Sequence, residues 1–80
     1  MPTQNHDKAM EALNPLRAAV CRKLGDRPYR TLAEQAGIPI FTGYRFLHED
    51  HIPNAVNLAK LIKWSGLSPV AVVSALAKAY

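Results

Sequence analysis

Residues 29–46 read YRTLAEQAGIPIFTGYRF, two short helical patterns joined at one glycine. Leu32, Ala33 and Ala36 fall at i, i+1 and i+4, the apolar stripe of a first helix. Gly37 ends it, because a residue without Cβ enters the left-handed region at no steric cost. Ile38 is apolar immediately after the corner, and Pro39 suits the first turn of a new helix, where its missing N–H matters little. In that second helix Gly43, Phe46 and Leu47 share one face. Ile40, Phe41, Tyr44 and Arg45 share the other, since residues three and four apart are helical neighbours. A rotated arrangement also fits the pattern: Ile40, Phe41 and Tyr44 in the core, with Thr42, Arg45 and Glu49 outside and Gly43 exposed.

The same corner organises its surroundings. Asn14-Pro15 reads as a helix start, a capping side chain followed by proline in the first turn. Leu16, Val20 and Leu24 then recur every four residues as a buried face, and Gly25 stops the helix. Arg17 falls off that face and reads as solvated. Arg22 and Lys23, near the helix end, suit the macrodipole or a phosphate equally well. Asp26-Arg27-Pro28 connects to the helix that carries Arg30 in its first turn, with Glu34 and Gln35 as ordinary exposed positions.

After the corner, Asn54 is a good cap for a further helix. Ala55, Leu58, Ala59 and Ile62 form its stripe, Leu61 widens it, and Lys60 and Lys63 face outward. Gly66 ends that helix. Ser68-Pro69 opens a last one, along which Val70, Val73, Leu76, Ala77 and Tyr80 follow one side and Val72 lies off the stripe. Every element reads as helical, so the expected fold class is all-α.

Taken together, these residues resemble the helix-turn-helix of the lambda-repressor-like (Cro-type) family of transcription regulators. Ala33 stands where that family places a small residue for close helix crossing, and Gly37 stands at its turn glycine. Leu32, Ile38 and Phe46 stand at its apolar core positions. Pro53-Asn54 through Leu58, Leu61 and Gly66-Leu67-Ser68 follow its fourth helix without a gap. The likeness covers the chain from about Leu16 onward. Two positions depart from it: Gly43 replaces a branched apolar residue, and Ile38-Pro39 replaces the usual serine or threonine cap.

The resemblance implies a compact five-helix DNA-binding domain over residues 14–80, preceded by an arm or short helix over residues 1–13. Asp7 would cap that short helix. It implies a sequence-specific regulator of transcription, a repressor that blocks polymerase access as a homodimer on a palindromic operator. Contacts to double-stranded DNA would come from Arg30, Ile40, Phe41, Thr42, Tyr44, Arg45, His48 and Asn54. The dimer would form through Trp64, Val70, Val73, Leu76 and Tyr80. Arg45 could pair with guanine, while Ile40 and Phe41 are suited to thymine methyl groups.

Totals set the bounds. Eighty residues at 49% hydrophobic suit one globular domain, which at this size buries about 60% of its unfolded surface. No apolar run approaches the roughly 20 residues needed to cross a bilayer, and the first ten residues lack a signal-peptide pattern, so a cytoplasmic, nucleoid-associated protein is expected. Cys21, the one cysteine, has no internal partner and reads as a small buried hydrophobe. A net charge of +4 and a pI near 9.6 favour nucleic acid as partner.

Glu49 and Asp50 would repel phosphates and must point away from them or pair locally. His48 and His51 lack two further ligands at metal-site spacing and read as surface or phosphate-contacting groups. No nucleophile–base set, paired carboxylates or glycine-rich phosphate loop indicates an enzyme, and no cofactor or small-molecule ligand is implied. The competing reading is a helix-turn-helix derivative that binds protein instead of DNA, favoured by Ile40, Phe41 and the acidic Glu49-Asp50 loop.

Overall fold

The helices of this chain are short, and side-chain packing rather than length holds them together. The computed structural model describes residues 8–49 and 51–79, and these form six helices with no strand among them. They are α1 (residues 8–12), α2 (Asn14–Leu24), α3 (Tyr29–Ala36), α4 (Ile40–His48), α5 (Ala55–Ser65) and α6 (Pro69–Ala79). The fold is all-α, with principal extents of 36 × 23 × 21 Å. No described helix is long and apolar enough to cross a membrane.

α2, α3, α4 and α5 pack around one core, and α6 leans on α5. Leu16, Val20 and Leu24 bury the expected face of α2 and meet Leu32, Ile38, Phe46, Leu61 and Ile62. Phe46, Leu13, Leu16, Leu32, Leu61 and Val20 are the largest fully buried side chains, and no polar residue is buried among the described residues. Truncating any of these would leave a cavity in a domain whose whole stability is about 5–15 kcal/mol.

The start of the chain differs from its sequence reading. α1 runs into α2 with only Leu13 between them, held by Leu13 N–H donating to Ala9 O and Met10 O, both at 3.1 Å. Pro15 explains the break: it lacks an N–H, and its ring conflicts with the carbonyl four residues earlier. Leu13 is therefore the N-cap, in helical conformation and without a side-chain cap. Asn14 does not cap α2; its Oδ1 accepts from Arg17 instead, at 2.6 Å. Ala9, Met10 and Leu13 are buried, and Leu13 joins the same core as the later helices. Asp7 lies outside the described residues.

Three other expectations shift because a helix face is turned from its expected side. Cys21 is exposed, because it follows Val20 by one residue and so points away from the α2 stripe. Ala55 and Ala59 are exposed, while α5 buries Leu61, Ile62 and Trp64. On α6, Val72 is buried and Leu76 half-buried, at i and i+4, while Val70, Val73 and Ala77 are exposed. α6 packs chiefly on α5, so a narrow seam is all it covers.

Arg17 is also not a solvated charge. It is half-buried, donates from Nε to Phe46 O at 2.8 Å, and lies 5.3 Å from the Phe46 ring centroid.

Gly37 ends α3 at φ 77° and ψ 35°, and its N–H donates to Ala33 O at 2.9 Å. Pro39 is the N-cap of α4 rather than its first residue. Gly43 then faces the core: a Cβ there would stand 3.1 Å from Leu32 Cδ2 and 3.5 Å from Ile38 Cδ1. The rotated arrangement, with Gly43 exposed, does not occur. A mid-helix glycine costs about 1 kcal/mol, and here it allows α4 to lie close on α3.

This space predicts a graded response. Gly43→Ala has roughly 1 kcal/mol of helix propensity to set against one tight contact, so its unfolding midpoint stays near the parent's. Gly43→Val adds two methyl groups beyond that Cβ, against Leu32, and loses about 1–3 kcal/mol. Chemical denaturation followed by Trp64, the single tryptophan, reads both; a valine variant as stable as the parent would show α4 free to move away.

Candidate nucleic-acid interface

α4 carries the largest exposed apolar surface near the corner. Phe41 is 73% exposed, Tyr44 45% and Ile40 43%, and Arg45 and His48 are exposed beside them. These five fall on one side of the helix, at i, i+1, i+4, i+5 and i+8. Gly43 and Phe46 bury the opposite side. Thr42 is half-buried and lies off the exposed face, toward the core.

Aromatic contacts fix part of this face. Tyr44 meets Tyr29 edge-on with ring centroids 5.4 Å apart, and Tyr44 and His48 lie 4.9 Å apart at 42°. His48 meets Tyr29 at 5.4 Å and 87°, and the Tyr29 hydroxyl is hydrogen-bonded to His48 Nε2. Such aromatic pairs add about 0.5–1.5 kcal/mol beyond burial. Tyr29 thus braces α4 from the first residue of α3. Its sequence gives no periodic sign of this, because its partners lie 15 and 19 positions away.

A concavity of about 440 Å³ opens on this side, lined by Tyr29, Ile40, Phe41, Tyr44, Arg45 and Glu49. Arg30 follows Tyr29 and is exposed in the first turn of α3. Asn54 stands on a separate element. It caps α5 as expected, Oδ1 accepting from Asn57 N–H at 2.8 Å.

The cations divide into two groups. Several close helix C-termini, where carbonyls lack intrahelical partners. Lys23 Nζ donates to Trp64 O at 2.6 Å and sits 4.6 Å from the indole centroid. Arg27 donates to Leu24 O at 3.0 Å and also to Lys23 O. Lys60 Nζ donates to Gly37 O at 3.0 Å, reaching across to the corner itself. Arg45 lies on the exposed face of α4 instead, and Arg30 is exposed in the first turn of α3.

Trp64 is buried, and its Nε1–H donates to Gln35 Oε1 at 3.1 Å. Trp64 is therefore not available as a dimer contact, and Gln35 is more than an ordinary exposed residue. Of the other residues expected there, Val70 is 73% and Val73 59% exposed, Leu76 is half-buried, and Tyr80 lies outside the described residues. Val73 also borders an apolar groove of about 620 Å³ between α5 and α6, with Ala55, Leu58, Ala59, Ile62 and Leu67.

Comparison with family models, with curated proteins and with solved structures gives no match for this chain.

The orientation of α4 has a direct test in two phenylalanines five positions apart. Phe46→Ala removes a fully buried ring and costs about 3–5 kcal/mol. Phe41→Ala touches a mostly exposed one and changes stability by no more than about 0.5 kcal/mol. Equal losses in thermal unfolding would place both rings in the core.

Proposed function

We propose that this protein is a sequence-specific double-stranded DNA-binding regulator of transcription with a lambda-repressor-like domain, and that α3 and α4 are its helix-turn-helix. One observation carries the reading: α4 turns Ile40, Phe41, Tyr44 and Arg45 outward on a helix held close to α3 at Gly43. An exposed helix of this kind fits the major groove, where base edges differ in donors, acceptors and methyl groups.

In this reading α4 enters the groove and Arg45 pairs with guanine. Arg30, at the start of α3, meets the phosphate backbone, as do the free N–H groups at the α5 N-terminus beside Asn54. The net charge of +4 supports long-range attraction to DNA. Repression follows from occupancy of a promoter. Two copies joined through Val70, Val73 and the adjoining α5–α6 groove would place two α4 helices about one turn of DNA apart.

The alternative partner is another protein. The apolar character of Ile40 and Phe41, with Glu49 at the edge of their concavity, supports that reading. Electrophoretic mobility shift on random-sequence duplexes across a salt series separates the two. Retention at low salt, with binding that weakens steeply as salt rises, is the outcome for a DNA-binding protein. No retention even at low ionic strength is the outcome for a protein-binding module.

Two arginine variants refine the test on a selected duplex. Arg45→Ala weakens binding about 5- to 150-fold, corresponding to about 1–3 kcal/mol, and relaxes preference at one base pair. Arg30→Ala weakens all duplexes alike and lowers the slope of log affinity against log salt by about one. If Arg45→Ala keeps full affinity and preference, α4 does not read bases through this residue.

The dimer is tested separately by sedimentation. Val73→Asp places a charge on an exposed apolar position, so the variant sediments as a monomer with an unchanged fold by circular dichroism. If parent and variant sediment alike, α6 is not the dimer surface.

A further inference from the structure

We infer that the hollow between the last turns of α2, α3 and α5 binds a short oligophosphate, either free or as the phosphate chain of a nucleotide. No residue of α4 lines it, so its occupancy does not depend on α4 meeting DNA.

The hollow measures about 510 Å³ and is lined by Lys23, Gln35, Ala36, Lys60, Lys63 and Trp64. A volume of this size falls within the roughly 300–1,000 Å³ of small-ligand sites. Three of the six residues carry a positive charge, and no acidic residue among the described residues lines it. Helical spacing and packing bring them together. Lys60, Lys63 and Trp64 stand at i, i+3 and i+4 on α5. Lys23 and Gln35 come from the last turns of α2 and α3, both packed against α5.

Two helix ends offset part of this charge. Lys23 Nζ donates to Trp64 O at 2.6 Å, and Lys60 Nζ to Gly37 O at 3.0 Å. Each C-terminus carries about half a negative charge, so about two positive charges are left for an occupant. Donors are left as well. An ammonium has three, so Lys23 and Lys60 each keep two after meeting one carbonyl. Gln35 turns its amide oxygen to Trp64 Nε1–H at 3.1 Å, which frees its NH2 group as a neutral donor.

The type of donor selects the anion. Lysines act as point charges and suit phosphate, whereas two-pronged recognition of a carboxylate favours arginine. No arginine lines this hollow. A single monovalent anion would leave the lysines repelling one another, while a chain of phosphates gives each a partner. Trp64 is buried, with Lys23 4.6 Å from its ring centroid, so the indole offers no open face to a base. Recognition therefore rests on the phosphates.

The experiment titrates the full chain with inorganic tripolyphosphate at low ionic strength. Calorimetry reads affinity, and emission of Trp64, the single tryptophan, reads location. Tripolyphosphate is expected to bind one per chain, to shift Trp64 emission through Lys23, and to raise the unfolding midpoint by linkage. Affinity should fall from tripolyphosphate to pyrophosphate to phosphate. Lys63→Gln and Lys60→Gln each weaken binding about three- to fivefold, the upper range for one exposed ion pair. Lys78→Gln removes an equal charge from an exposed position on α6, outside the hollow, and leaves the affinity unchanged.

Adenosine triphosphate separates the two sources. Affinity equal to that of tripolyphosphate assigns the site to the phosphate chain alone, and tighter binding assigns it to a nucleotide. Equal losses from Lys63→Gln and Lys78→Gln would mean diffuse attraction to net charge and overturn the inference. So would tripolyphosphate that fails to bind, or that binds without moving Trp64 emission. If Lys63→Gln weakens a duplex yet leaves tripolyphosphate binding intact, these lysines serve the DNA backbone and the inference also falls.

Discussion

A tight constraint in this fold is the approach of α4 to Leu32. A Cβ at Gly43 would meet Leu32 Cδ2 at 3.1 Å, so the helix axis can come no nearer with any larger residue unless Leu32 yields. That approach seats Phe46 in the core, fully buried, and fixes which side of α4 is left over. Once Gly43 and Phe46 point inward, Ile40, Phe41, Tyr44 and Arg45 must point out. The chemistry of the exposed side is thus decided by a residue with no side chain on the buried one.

Long-range hydrogen bonds then hold the ends of the helices. Arg17 reaches the Phe46 carbonyl on α4, Lys23 the Trp64 carbonyl on α5, and Lys60 the Gly37 carbonyl at the corner. Each places positive charge where a helix macrodipole is negative. The basic composition therefore has two uses that the net charge of +4 adds together. One set of cations joins helices to one another, and another, including Arg30 on α3 and Arg45 on α4, remains exposed.

The corner was legible because its signals are local. Gly37 and the Leu32 stripe follow from helical spacing, and the chain folds as all-α helices; spacing alone left two rotations of α4 open, and the packing of Gly43 on Leu32 decides between them. Residues whose role depends on distant partners were not legible. Arg17 and Lys23 read as surface charges because their acceptors lie 29 and 41 positions away. Trp64 read as exposed because its contacts with Gln35 and Lys23 leave no trace in spacing. Asn14 misled for a different reason: the Asn-Pro pair suits a helix start, but Leu13 was already helical and the chain hardly unwinds there. On α6 the longest apolar stripe was not the buried one, since a helix packed chiefly on one neighbour buries a narrow seam, and Val72 lies in it.

Cys21 stands on the outer side of α2 as a free, exposed thiol. Two molecules that meet there in air can join through a sulfur–sulfur bond, yielding a covalent pair unrelated to Val70 and Val73. Reductant, or a serine in place of the cysteine, separates that cross-linked species from any pair held by apolar contact alone. The same thiol is a convenient handle: it shares a concavity with Tyr29, Leu47 and His48, so a fluorophore attached to it would report on the end of α4 that His48 occupies.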